Sequence, residues 1–163
     1  MKKIALISVS DKTGIEALAK ELSLLSYTIV ATGNTAKLIS KSGTEVLEVS
    51  SLTGFPEVFD GRVKTIHPKI FGGILYRRDN DSDKAEVEKQ NIPTIDIVVV
   101  NLYPFVKTVQ KSDSKLEEII ENIDIGGPSL IRASAKNYKD VCVLTDPSQY
   151  ESFLTELKNG EVN

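Results

Sequence analysis

Five short stretches of this chain carry residues that could do chemistry. Ser10-Asp11-Lys12-Thr13-Gly14 places hydroxyls, a carboxylate and a lysine directly before an amphipathic segment. Such residues beside the free N–H groups of a helix start favour a phosphate or another anion. Thr32-Gly33-Asn34-Thr35 repeats the arrangement. Either turn alone reads equally well as helix capping, because the same residue types favour the cap position. Two such turns in succession favour a phosphate cradle. Neither matches a P-loop or a dinucleotide fingerprint, so a nucleoside triphosphate and NAD are not indicated.

The third stretch, Arg62-Val63-Lys64-Thr65-Ile66-His67-Pro68, offers two cations to one ligand if extended, since residues two apart then point the same way. It reads as well as a solvated loop with scattered charge. His67, the one histidine, suits a structural hydrogen bond better than catalysis. Asn101 and Tyr103, in Asn101-Leu102-Tyr103-Pro104-Phe105, offer an amide and a phenol to a base or sugar; rim packing is the other reading. Asp124 stands beside Gly126 and Gly127 at a helix start, an arrangement suited to a developing oxyanion and equally to a cap. Lys136 is an ordinary lysine for a helix C-terminus. A helix from Gly127 to Lys136 would hold the two roughly 13 Å apart.

The elements that must position these groups follow from the apolar pattern. Ile4 to Val9 is a continuous apolar run, and Ile15, Leu18, Ala19, Leu22 and Leu25 recur at helical spacing. Thr28 to Ala31, Glu45 to Val49, Ile70 to Tyr76, Ile95 to Val100 and Val141 to Leu144 read as further strands. Helices are expected over Thr35 to Ser42, Asn80 to Gln90, Leu116 to Ile123, from Asp124 onward with Pro128 in the first turn, and over Pro147 to Leu157. Ser50 to Pro68 has little periodicity, and an irregular stretch of that length tends to be functional. Alternating strands and helices imply an α/β fold, a mostly parallel sheet with helices on both faces. Ligands in such sheets bind beyond the carboxyl ends of the strands, where the polar turns after Val9, Ala31 and Val100 fall.

Composition bounds the rest. The 163 residues suit one domain spanning 1–163, with 40% hydrophobic and 26% charged residues. A net charge of −3, with both signs interspersed, argues against nucleic-acid binding. One cysteine excludes an internal disulfide, and Cys142 in its apolar run reads as a buried structural thiol. One histidine, one cysteine and no clustered ligands argue against a metal. The basic start Met1-Lys2-Lys3 precedes too short an apolar run for a signal peptide, and no segment reaches the roughly 18 apolar residues of a membrane span. A soluble, cytoplasmic protein is expected.

The stretches SVSDKTG, ATGNTAK, LTGFPEVFDGRVKTIHP, NLYPFVKTV and DIGGPSLIRASAKN, in that order from Ser8 to Asn137, resemble the IMP cyclohydrolase domain of bifunctional purine-biosynthesis proteins, which pair it with AICAR transformylase. The resemblance implies a methylglyoxal-synthase-like fold and ring closure of formyl-AICAR to IMP with loss of water, with no cofactor. It implies an oxyanion site at Lys64, Gly126 and Gly127. Lys136 would exchange protons with the help of Asp124, and Tyr103 would position the reacting groups. It implies a nucleotide site lined by Ser10, Asp11, Lys12, Thr32, Gly33 and Asn34, continued by Thr35, Arg62, Thr65, Val100, Asn101 and Ile125. Implied partners are the nucleotide, a transformylase domain in a longer chain and a second copy in a homodimer. Asn34 departs from the family's usual glycine, and a left-handed asparagine would preserve the turn. The end at Leu157 to Asn163 reads as a helix termination and a short tail, as in a domain cut from a longer chain. A regulatory nucleotide-binding domain and a methylglyoxal synthase share the fold. Lys64, Asp124 and Lys136 together favour the cyclohydrolase.

Overall fold

The computed structural model describes residues 3–111 and 115–160, the side chain of Lys107 excepted. Met1, Lys2 and the tail beyond Gly160, on which two expectations rested, lie outside the described residues.

Ile4–Val9 forms β1, buried along nearly all its length, and Ile15–Leu24 forms α1. Thr28–Ala31 (β2) and Gly33–Lys41 (α2) repeat the unit. Leu47–Glu48 is a two-residue β3, exposed and shorter than the expected Glu45 to Val49. Its chain turns at once into the short helix α3, Val49–Thr53, within the stretch expected to be irregular. After a loop come α4 (Pro68–Leu75), α5 (Asp81–Gln90) and β4 (Ile95–Asn101). Phe105–Val109 (α6), Leu116–Glu121 (α7) and Gly126–Lys136 (α8) lead to β5, Cys142–Leu144. Tyr150–Asn159 (α9) follows a 3-10 turn at Pro147–Gln149 and ends at a left-handed Gly160.

The five strands pair in parallel in the order β3-β2-β1-β4-β5. Alternation along β1 divides the core. Ala5, Ile7 and Val9 face a cluster with Ile15, Leu18 and Leu22 of α1, Ile39 of α2 and Phe153 of α9. Ile4 and Leu6 face the opposite cluster with Val49 of α3, Ile70 and Ile74 of α4, and Leu130 of α8. The fold is thus a three-layer α/β sandwich. Each fully buried Ile or Leu contributes about 1.5–3 kcal/mol relative to exposure.

Ile70 to Leu75 belongs to the helix α4, against the strand expected over Ile70 to Tyr76. A short apolar run cannot separate the two by period alone. The helix starts because His67 caps it, its Nδ1 accepting the Lys69 N–H at 3.1 Å, and because Pro68 occupies the first turn. The glycines serve close approach, as expected, but between a helix and its neighbour: a Cβ on Gly73 would collide with the Pro93 carbonyl oxygen.

One irregularity interrupts the pairing of β1 with β4. Ile4 pairs with Ile95, but Ala5 pairs with Ile97, so Asp96 is an extra residue in β4. Its carboxylate accepts the Ile4 N–H at 3.0 Å and holds Arg78 Nη1 at 2.8 Å.

Candidate functional site

The carboxyl ends of β1, β2 and β4 open into a cleft of about 690 Å³, within the range that holds small ligands. Ser10, Lys12, Thr32, Asn34 and Thr35 line it from the first two turns. Arg62, Lys64 and Thr65 line it from the loop before α4. Asn101 and Tyr103 line it from the end of β4, and Asp124, Ile125, Gly126 and Gly127 from the start of α8. Fourteen of the expected residues thus share one space. A second cavity of about 150 Å³ adjoins it, sharing Thr32 and Lys64 and reaching Gly33 and Glu57.

Four expected residues are placed elsewhere. Val100 is 1% exposed and packs in the core, so its side chain cannot touch a ligand. Asp11 turns back on its own loop, where Oδ1 accepts from Thr13 N and Oγ1 at 2.9 and 2.7 Å. Gly33 borders the smaller cavity. Lys136, exposed, is the last residue of α8, whose first turn lines the cleft, so the helix itself keeps the two apart.

Roles differ too. Asn101 was expected to face a base or sugar. Instead its Oδ1 accepts the N–H groups of Ser10 and Asp11 at 2.7 and 2.8 Å, and its Nδ2 donates to the Asp11 carbonyl at 2.8 Å. Lys12 Nζ donates to the Ser10 carbonyl at 3.1 Å. The first turn is therefore largely satisfied internally. The second is open: no described residue accepts from the N–H groups of Gly33 and Asn34 at the start of α2. The left-handed residue there is Gly33, at φ 34°, while Asn34 is helical and needs no special conformation.

Arg62 and Lys64 are not extended side by side. Val58 and Val63 form an antiparallel bridge, and between them Phe59, Asp60 and Gly61 all have positive φ, at 56°, 53° and 89°. Such backbone costs non-glycine residues about 1–3 kcal/mol and concentrates at functional sites. Arg62 leaves this turn to bind Glu121 at the end of α7, with Nε 3.2 Å from Oε2 and a second contact from Nη2 to Oε1. The Arg62 hydrogen bonds hold the Glu121 carboxyl below its usual range. Lys64 Nζ lies 2.9 Å from Glu57 Oε1. Sequence reasoning missed Glu57, which lies within the stretch LTGFPEVFDGRVKTIHP but was assigned no role, and Glu121, which sits in no motif and 59 positions from its partner.

Asp124 does both things expected of it in part. It lines the cleft, and its Oδ1 accepts the Gly127 N–H at 2.8 Å, which removes that N–H as a free oxyanion donor. No described residue accepts from the N–H of Gly126. Away from the cleft, Cys142 is half-buried rather than buried as expected, and burial pushes its thiol up, with Glu156 adding to it. No described helix is long and apolar enough to cross a membrane.

Comparison with known proteins agrees with this geometry. The MGS-like domain family matches residues 14–129. The bifunctional purine biosynthesis protein PurH of Acetivibrio thermocellus is 55% identical over 158 residues, which is 97% of this chain and 31% of that protein. The chain thus spans about a third of the length of that curated relative. The crystal structure of ForH matches with a TM-score of 0.86 and 36% identity, over 99% of this chain and 82% of that one. An α/β sheet of this order, with its polar residues gathered at the carboxyl ends, and matches of this extent together establish that the chain belongs to the MGS-like domain family.

Proposed function

We propose that the cleft binds a purine-type nucleotide and that the chain closes formyl-AICAR to IMP with loss of water. The observation that carries this is the gathering of Lys64, Thr65, Tyr103, Asp124 and the Gly126–Gly127 turn around one cleft, beside the open start of α2. The relationship to a bifunctional purine biosynthesis protein supports it.

In this reading the nucleotide's phosphate meets the free N–H groups of Gly33 and Asn34, where the helix dipole favours negative charge. The carboxamide nitrogen attacks the formyl carbon, and negative charge grows on the formyl oxygen. Lys64 Nζ and the Gly126 N–H stabilise that oxygen. It takes one proton from the attacking carboxamide nitrogen and a second from the formamido nitrogen, and leaves as water as the ring C=N bond forms. Asp124 holds the glycine turn in place through Gly127. Lys136 has no part within this chain's cleft. Orientation and fixed donors supply much of the rate, so no cofactor or metal is assigned. The reaction belongs to the cytoplasm, with a transformylase domain in longer relatives and a second copy as partners.

The distance of Lys136 from the cleft also favours a second reading, a regulatory nucleotide-binding domain, because the grouping with Lys64 and Asp124 that spoke for catalysis is broken. One assay separates them: IMP formation from formyl-AICAR by the purified chain, followed by ultraviolet absorbance without metal or folate. Turnover is expected, with Lys64→Ala lowering kcat roughly 100-fold while IMP still binds. IMP binding without wild-type turnover would establish the regulatory reading.

A further inference from the structure

The Lys64 ammonium sits on a flexible four-carbon stem, and such a group stabilises a transition state only if something fixes it. Glu57 stands where it can. Its Oε1 is 2.9 Å from Lys64 Nζ, and the pairing is built into the backbone: Glu57 precedes Val58 and Lys64 follows Val63, the two residues of the antiparallel bridge. The hydrogen bonds of that bridge, Val58 N to Val63 O at 3.3 Å and Val63 N to Val58 O at 3.4 Å, bring positions 57 and 64 together as cross-strand neighbours. Gly61 closes the other side. A Cβ there would lie 2.5 Å from both Glu57 Oε1 and Lys64 Cε, so the pair packs against a bare α-carbon. The second carboxylate oxygen, Oε2, reaches towards Gly33 at the start of α2, 3.6 Å from where a Cβ would be.

We propose that Glu57 is a positioning residue: it anchors one donor of the Lys64 ammonium and aims the remaining two at the oxygen on which charge develops. This rests on the cyclohydrolase reading of Lys64. Glu57 itself does not touch substrate. Its other oxygen lies near Gly33 at the start of α2 without accepting from that helix, so its one recorded bond is to Lys64.

The test is steady-state cyclisation of formyl-AICAR by wild type, Glu57→Ala, Glu57→Gln, Lys64→Ala and the double variant Glu57→Ala/Lys64→Ala. IMP binding to each variant serves as the check on folding. Loss of the anchor is expected to lower kcat roughly 10- to 100-fold, with KM changed by less than about twofold. Glu57→Gln, whose amide oxygen still accepts from the ammonium, is expected to recover part of that loss. The double variant is expected to match Lys64→Ala alone, because Glu57 acts only through Lys64. A Glu57→Ala enzyme with wild-type kcat, a change confined to KM, or losses that multiply in the double variant would each overturn the proposal. An inactive wild type defeats the cyclohydrolase reading and the role of Glu57 with it. An active wild type with an unaffected Glu57→Ala defeats the role of Glu57 alone.

Discussion

The turns after β1 and β2 have nearly the same ingredients and opposite fates. Both follow a buried parallel strand, both precede a helix, and both carry hydroxyls and a glycine. In the first, Asn101 and Asp11 take up the N–H groups of Ser10, Asp11 and Thr13, and Lys12 bends back to the carbonyls of Val9 and Ser10. In the second, no described residue accepts from the first two N–H groups of α2. The first turn is an internally bonded wall of the cleft, while the second keeps N–H groups available at its edge. A motif's composition gives its capacity, and its neighbours decide how much of that capacity is left for a ligand.

Removing the clamp is the strongest way to break this contrast. Asn101→Ala deletes three hydrogen bonds, and a loss of about 2–3 kcal/mol is expected in urea unfolding. A loss under about 0.5 kcal/mol, typical of an ordinary surface change, would show that the first turn stands without Asn101.

The second turn responds in another currency. Gly33→Ala has room, its nearest neighbour being Glu57 Oε2 at 3.6 Å, but its φ of 34° does not suit a side chain. A cost of about 1 kcal/mol is expected, together with IMP binding weakened severalfold in a titration. Full affinity in this variant would move the phosphate away from α2.

The smallest effect reads the first turn's charge. Tyr150 packs beneath Gly14, and burial first, then Asp11 and Asp146, push its phenol up to about 12. An unfolded tyrosine titrates near 10. The stabilisation is therefore whole below about pH 10 and lost as the pH rises from about 10 towards 12. The phenolate absorbance difference between wild type and Tyr150→Phe should place the midpoint near 12, and Asp11→Asn should lower it slightly. A midpoint near 10 would contradict the packing of α9 against this turn.

Much of this was legible in the residues, and the exceptions share a cause. β1, β2 and β4 announce themselves as largely apolar runs, and α5 falls within the polar segment Asn80 to Gln90 where a helix is expected. The carboxyl-end location of the cleft followed from the alternation of strands and helices and the polar turns behind the strands. What sequence could not show were contacts between distant segments. Asn101 looked like a ligand-facing amide because its partners lie 90 and 91 positions away. Arg62 and Lys64 looked like a pair because neither the left-handed turn at Phe59 to Gly61 nor the two carboxylates that separate them has a local signature. α4 differs: His67-Pro68 carries the helix start, while the short apolar run behind it fits a strand or a helix by period.

The extra residue at Asp96 acts as a counting device for the whole sheet. Side chains along a strand alternate with a period of two, so a strand shifted by one residue exchanges its faces. With Asp96 inserted near the amino end, Asn101 falls abreast of Val9 at the far end of β4. There its amide meets the turn it clamps. Without that insertion the strand would run one step out of phase, and the clamp would find a different rung. The geometry of the cleft is thus set from the opposite rim of the sheet, by a residue that no ligand in the cleft could touch.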